Sequence, residues 1–222
     1  MDFIRWFLDF LLHLDQHLGQ IIADYGTWTY LLLFIIVFCE TGFVATPFLP
    51  GDSLLFTAGA FAGRGDLDVT SLFGLLAIAA IAGDTVNYWI GAYIGPRAFT
   101  GNYRFLKREY LERTHRFYEK HGGKTIILAR FIPIVRTFAP FVAGIGVMSY
   151  GRFFLYNLVG GLAWVALMTF AGYFFAHNEF VKEHFGLVVV AIIVISVLPL
   201  AWEIFRARFE SQQSREGFGI RD

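Results

Sequence analysis

The sequence predicts an all-α polytopic membrane protein made of two inverted repeats, each a re-entrant helical hairpin followed by a transmembrane helix. A C-terminal transmembrane helix and an N-terminal amphipathic helix complete it. Three observations lead there. Of 222 residues, 56% are hydrophobic and 26 are phenylalanine, above the roughly 45–50% apolar share of soluble domains. Three unbroken apolar runs, 69–95, 151–176 and 186–204, match the about 20 residues needed to cross a ~30 Å hydrocarbon core. Two further apolar stretches are interrupted at their centres by proline and charge. The first, 27–63, holds Glu40, Pro47, Pro50, Gly51 and Asp52; the second, 125–149, holds Arg130, Pro133, Arg136 and Pro140. Pro47, Pro50, Gly51, Pro133 and Pro140 are the residues expected at the re-entrant turns.

Residues 1–26 read as the amphipathic helix. Asp2, Arg5, Asp9, His13, Gln16, Gln20 and Asp24 recur every three or four positions, leaving Ile4, Phe7, Leu8, Leu11, Leu14, Leu18 and Ile22 on one apolar face. Such a helix is expected at the interface or against the bundle, with a tilted spanning helix as the competitor. The acidic start, the missing basic region and the missing small-residue cleavage site argue against a cleavable signal peptide.

Charge then sets the expected topology. Residues 97–124 carry eight Lys and Arg against three Glu, so the positive-inside rule makes this segment cytoplasmic. The tail 205–222 opens with Arg206 and Arg208 and is expected on the same side, whereas the links around Asp66 and around Glu179 are slightly acidic and are expected outside. These assignments agree if both broken stretches enter and leave on one face. The domain 27–176 then comprises re-entrant 27–63, transmembrane 69–95, cytoplasmic 97–124, re-entrant 125–149 and transmembrane 150–176. A weak echo accompanies the repeat: PGDSLLFTAGAFAG beside PIVRTFAPFVAGIG, and GAYIG beside AGYFFA.

Irregular backbone at membrane depth must be buried in protein or line a cavity, because unpaired amides in lipid cost several kcal/mol each. Intramembrane charges likewise face the interior or one another. If the two breaks meet, Glu40, Asp52 and Asp84 can surround Arg130 and Arg136. The guanidinium fork suits phosphate, so Arg130 and Arg136 are the expected substrate-binding residues, and Glu40, Asp52 and Asp84 the expected proton-coupling ones. Plain mutual neutralisation is the structural alternative.

Several functions find no support. A net charge of zero gives no long-range attraction to nucleic acid. Cys39 stands alone, which excludes an internal disulfide and a cysteine-based metal cluster. The Gly122–Thr125 run resembles the end of a phosphate-binding loop, but Tyr118 occupies the position that motif reserves for glycine. His115, Glu119 and His121 fit a solvated helix face better than a metal site. No catalytic, metal or cofactor site is expected. Gly160 and Gly161 are expected to allow close helix packing.

With these motifs in view, the chain resembles the DedA family, which shares the VTT domain with eukaryotic lipid scramblases. The resemblance rests on FCETGFVATPFLPGDSLLF at 38–56, GDTVNYWIG at 83–91, FYEKHGGKTIILARFIPIVRTFAPFVAGIG at 117–146 and AGYFF at 171–175. The N-terminal start and its helix also resemble the family's namesake. The resemblance implies a multi-pass bacterial inner-membrane protein with two facing re-entrant hairpins. It also implies movement of a phosphate-bearing lipid between leaflets, undecaprenyl phosphate or a phospholipid such as phosphatidylethanolamine, linked to the proton gradient. The family's important acids match Glu40 and Asp52, and its important arginines match Arg130 and Arg136. The expected partners are therefore such a lipid and protons, with a homo-oligomer open. A proton-coupled transporter of a small solute or cation is the alternative function, and an intramembrane lipid phosphatase lacks a nucleophile–histidine pair in the broken segments.

Overall fold

The computed structural model describes residues 14–43, 51–100 and 122–179, with short helical pieces between 181 and 192. All regular structure among them is helical: α1 (Leu14–Tyr25), α2 (Trp28–Gly42), α3 (Gly51–Arg64), α4 (Val69–Thr100), α5 (Lys124–Ala129), α6 (Pro133–Val142), a π-helical turn (Ala143–Val147) and α7 (Tyr150–Phe175).

Two lengths of helix coexist. Within α4, Val69–Gly95 is a continuous apolar stretch of 27 residues, and α7 has 26, so at 1.5 Å per residue each reaches about 40 Å and can cross a bilayer. By contrast α2 has 15 residues and α3 has 14, about 22 Å each and short of a crossing. In the second broken segment α5 has only 6 residues, and α6 with the π turn adds 15.

The described part of the amphipathic segment, α1, buries Leu18 against the bundle, and Gly19 faces the ring of Phe61 on α3. The chain turns at Gly26 with φ 53° and between α3 and α4 at Gly65 with φ 92°, left-handed conformations that suit glycine. Asp68 caps α4, its Oδ1 accepting the Ser71 amide at 2.7 Å. The Asp68 amide in turn donates to the Tyr30 hydroxyl at 2.7 Å. This ties the start of α4 to α2.

Packing is arranged around α4 and α7. Helix α2 and the π turn lie on α4, while α3 and α5 lie on α7. The tightest contacts are glycine against backbone. Gly59 faces the Thr169 carbonyl while Gly172 faces that of Phe56; Gly144 faces the Tyr88 carbonyl while Gly91 faces that of Phe141. A methyl at any of the four would overlap a carbonyl oxygen. Both close crossings, α3 on α7 and the α6–π segment on α4, therefore use the same three-residue spacing on each partner.

The distribution of polarity is reversed from that of a soluble domain. Glu40, Asp52, Asp84, Asn87, Arg130, Arg136 and Asn157 are buried, while Leu31, Ile35, Ile78, Leu128, Leu155 and Leu167 are exposed. An apolar exterior over a charged interior is what lipid as solvent demands. Of the run 186–204, the described residues include Val188 and Ile192, which pack against a cluster of Phe56, Ala60, Ala176 and Val181. The remainder of that run, residues 1–13, most of the basic segment 97–124 with His115, Glu119 and His121, and the tail 205–222 lie outside the described residues.

Candidate functional site

Arg136 is the centre of the first charged cluster. Proline at the first position of α6 has a φ already suited to a helix start, and Arg136 follows in that first turn, its amide bonded to the Ile132 carbonyl at 2.9 Å. Its Nη1 donates to Asp52 Oδ1 at 2.8 Å, and its Nη2 pairs with Glu40 Oε1. Asp52 lies in the first turn of α3, where the helix dipole favours a negative charge, and Glu40 lies near the end of α2. Three elements thus meet at one guanidinium.

Trp164, from the middle of α7, completes this cluster. Its indole N–H donates to the same Asp52 Oδ1 at 2.8 Å, and the guanidinium carbon of Arg136 lies 4.8 Å from the centre of its ring. Glu40 is fully buried, and its second oxygen, Oε2, accepts no hydrogen bond of good geometry. Oε2 lies against Gly51, where any side chain would collide with it. The glycine that opens α3 is thereby explained: it makes room for a carboxylate.

Arg130 organises the second cluster. It sits in the break between α5 and α6, and its Nη2 pairs with Asp84 Oδ2 at 2.5 Å and also donates to Asn157 Oδ1. The amide of Asn157 donates to the Ile81 carbonyl at 3.0 Å, so α4 and α7 share this arginine. Gly160 and Gly161 flank it: a methyl on Gly160 would approach Arg130 Cδ to 3.1 Å, and one on Gly161 would approach Ile81 to 2.9 Å. Two nitrogens of the buried guanidinium, Nε and Nη1, have no hydrogen-bond partner, and Nε of Arg136 has none either.

Asn87 links the two breaks. From α4 its amide donates to the Thr41 carbonyl at 3.2 Å and to the Thr137 carbonyl at 2.7 Å. Thr41 is next to Glu40 and is among the last residues of α2, whose carbonyls lack helical partners. Thr137 is next to Arg136. One side chain therefore bonds to both broken segments, each at the residue beside an ion-pair partner.

All five charged residues singled out in the sequence are buried, but they form two clusters, Arg136–Glu40–Asp52 and Arg130–Asp84–Asn157. Gly51 and Pro133 each open a helix, α3 and α6. Pro140 departs from expectation: it lies inside α6, not at the turn. The second break is at Arg130–Ile132, and Pro140, lacking an N–H, is followed within a turn by the wider π-helical hydrogen bonding. Pro47 and Pro50 lie outside the described residues. Sequence reasoning did not single out Trp164, Asn157 or Asn87. Asparagine within a long apolar run was an available signal, since buried amides need partners.

These observations define an integral membrane protein with a charged interior assembled where two broken segments meet two long helices. The comparisons agree. The VTT domain pattern matches residues 49–174. The chain is 57% identical over 209 residues to protein DedA of Escherichia coli K12, covering 93% of this chain and 95% of that one. It is 45% identical over 188 residues to an uncharacterized membrane protein of Mycobacterium tuberculosis, covering 82% of each chain. It is 37% identical over 145 residues to the inner membrane protein YqjA of E. coli, with 65% and 66% covered. No solved structure gives a significant match. The chain belongs to the DedA family of VTT-domain membrane proteins.

Proposed function

We propose that the chain is an inner-membrane flippase or scramblase that moves a phosphate-bearing lipid, undecaprenyl phosphate or a phospholipid such as phosphatidylethanolamine, between leaflets with proton linkage. The observation that carries this reading is Arg130: fully buried, neutralised on one nitrogen by Asp84, and left with two nitrogens without acceptors. A buried donor without a partner costs about 1–3 kcal/mol and more when charged. A phosphate oxygen is the acceptor that a guanidinium fits best. Glu40, Asp52 and Asp84 outnumber Arg130 and Arg136 by one, so a single proton balances the group without substrate. That excess supports proton linkage. It also gives the alternative, a proton-coupled carrier of a small solute or cation, its footing.

The proposed topology has α2–α3 and α5–α6 as re-entrant hairpins, each followed by a crossing helix, with 97–124 and the C-terminal tail cytoplasmic. Support comes from the short helices of the broken segments and from the matched glycine contacts, Gly59 and Gly172 at one crossing and Gly144 and Gly91 at the other. We read the chain as a transporter and not an enzyme.

Purified full-length chain in proteoliposomes tests this. Leaflet exchange of labelled undecaprenyl phosphate and labelled phosphatidylethanolamine is followed with and without a proton gradient, beside inorganic phosphate and potassium uptake. Exchange of either lipid supports the reading and the faster one names the substrate. Ion or solute uptake without lipid exchange supports the carrier, and release of phosphate from lipid would revive an enzyme.

A further inference from the structure

We infer that the chain opens as two interlocked halves, one made of α2, α4 and the α6–π segment, the other of α3, α5 and α7. They rock about the contact of Ile81 with Asn157 and Gly161, and the charged interior is the seam along which a phosphate-bearing group is admitted. Admission of that group rests on the proposed function; the division into halves rests on packing alone. Helix α2, α6 and the π turn pack chiefly on α4, and α3 and α5 chiefly on α7. Each broken segment therefore places one arm on each half. Helix α1 contacts both α2 and α3 and is assigned to neither. Under the proposed repeat, α2, α3 and α4 correspond to α5, α6 and α7, which maps one half onto the other.

Contacts within a half differ in kind from contacts between halves. Inside, Gly59 and Gly172 press on carbonyls at the α3–α7 crossing, and Gly91 and Gly144 do so where the α6–π segment crosses α4, so sliding either helix drives backbone into backbone. Two polar ties also stay inside: Asn87 of α4 bonds carbonyls on α2 and α6, and Trp164 of α7 bonds Asp52 of α3 at 2.8 Å. Between the halves lie Arg136 with Asp52 and with the Trp164 ring, Glu40 against Gly51, and Arg130 reaching Asp84 on one side and Asn157 on the other. Polar side-chain contacts of this kind can be exchanged for water or for a phosphate oxygen. A glycine pressed on a carbonyl has no such replacement.

At mid-length the two long helices meet closely. Asn157 donates to the Ile81 carbonyl at 3.0 Å, and a methyl on Gly161 would come within 2.9 Å of the Ile81 side chain. On either side the seam is filled by rings: Phe73 meets Phe170 with centroids 5.5 Å apart, and Tyr88 stacks on Phe153 at 4.6 Å. Phe73 and Tyr88 lie on opposite sides of Ile81, about 10–12 Å away along α4. A close central contact between two ring contacts is the geometry of a pivot between two gates. Glu40, Asp52, Asp84, Arg130 and Arg136 are all buried, so access from either face needs one ring contact to part.

The test is pulsed electron spin resonance on the full chain in phosphatidylcholine bilayers, with Cys39→Ser and spin labels placed in pairs at exposed positions. Leu31 and Ile94 lie on one half, and Leu128, Leu155 and Phe174 on the other. The pairs Leu31–Ile94 and Leu128–Phe174 report within a half; Leu31–Phe174 and Leu155–Ile94 report across the seam, one at each end. Asp52→Asn weakens the seam, and Phe170→Ala empties one gate. We expect a seam-spanning pair to gain a longer distance in each variant, at one end at a time, while both within-half pairs keep the wild-type distribution. Within-half pairs that lengthen as much as the seam pairs would overturn the division. Seam pairs that lengthen together at both ends would overturn the pivot, and no change in any folded variant would overturn the opening. Should one variant fail to fold, the other decides. A chain that rocks yet exchanges no lipid would defeat the proposed function alone, and a chain that exchanges lipid across a fixed seam would defeat this inference alone.

Discussion

Removing Arg136 tests whether the interior is held together by charge. In Arg136→Met the apolar volume is largely kept, but Glu40 and Asp52 lose their shared cation, and Trp164 loses the guanidinium 4.8 Å from its ring centre. Breaking a buried ion pair by removing one partner typically costs about 3–5 kcal/mol. The cation–π contact adds roughly 0.5–2 kcal/mol, though the two are not additive around one side chain. We expect a loss of about 3–5 kcal/mol for the single variant. Neutralising the orphaned acids in the triple variant Arg136→Met, Glu40→Gln, Asp52→Asn should restore about half of it or more, because replacing a whole buried ion pair by neutral groups is far cheaper than halving it. Equilibrium unfolding in mixed micelles, repeated after reconstitution in bicelles, measures both. If Arg136→Met stays within about 1 kcal/mol of wild type, or if the triple variant is no more stable than the single one, the cluster is not electrostatically coupled.

Further outcomes follow from the packing. Gly172→Ala and Gly91→Ala each drive a methyl into a backbone carbonyl, of Phe56 and Phe141 respectively, and should each cost about 1–3 kcal/mol by overpacking, whereas Gly74→Ala, with open space at that position, should be neutral in the same unfolding assay. Asn157→Leu removes an acceptor from Arg130 and should slow leaflet exchange at least tenfold, with Asn157→Asp retaining more of it than Asn157→Leu. Asp68, at the start of α4, has its carboxyl held below the usual 3.8 by hydrogen bonds from the Ser71 side chain and amide. A depressed carboxylate stabilises the fold above its ordinary value and is lost as pH falls through its lower folded value, so the cap should persist at pH 4 and fail only in stronger acid. Amide exchange at Ser71 reads it directly.

How far the sequence speaks depends on which physical force writes the feature. The long helices were legible because a bilayer imposes a minimum apolar length, and Val69–Gly95 and Tyr150–Phe175 satisfy it without interruption. Glu40, Asp52, Asp84, Arg130 and Arg136 were legible because a charge in an apolar run is costly enough to demand a partner. Which acid joins which arginine was not, since that depends on helix rotation: Asp84 and Asn157 turn toward Arg130 while Glu40 and Asp52 close on Arg136. Trp164 was hidden in a run of apolar neighbours, where a tryptophan that packs and one that donates a hydrogen bond look alike. Proline misled at Pro140 because its effect on a helix depends on what replaces the lost hydrogen bond, and here the helix runs through it to a π turn. Gly59, Gly91, Gly144 and Gly172 showed as an Ala-Gly echo, yet that they press on opposing carbonyls needed the three-dimensional arrangement.

The most direct measurement is leaflet exchange of labelled phospholipid and undecaprenyl phosphate in proteoliposomes by wild type beside the Arg130→Gln, Asp84→Asn variant. That pair of changes removes both charges together, so neither partner is left as an unpaired ion. Exchange by wild type and its loss in a folded, monodisperse variant is the expected result. Equal exchange by both proteins would contradict the claim that Arg130 carries the lipid phosphate.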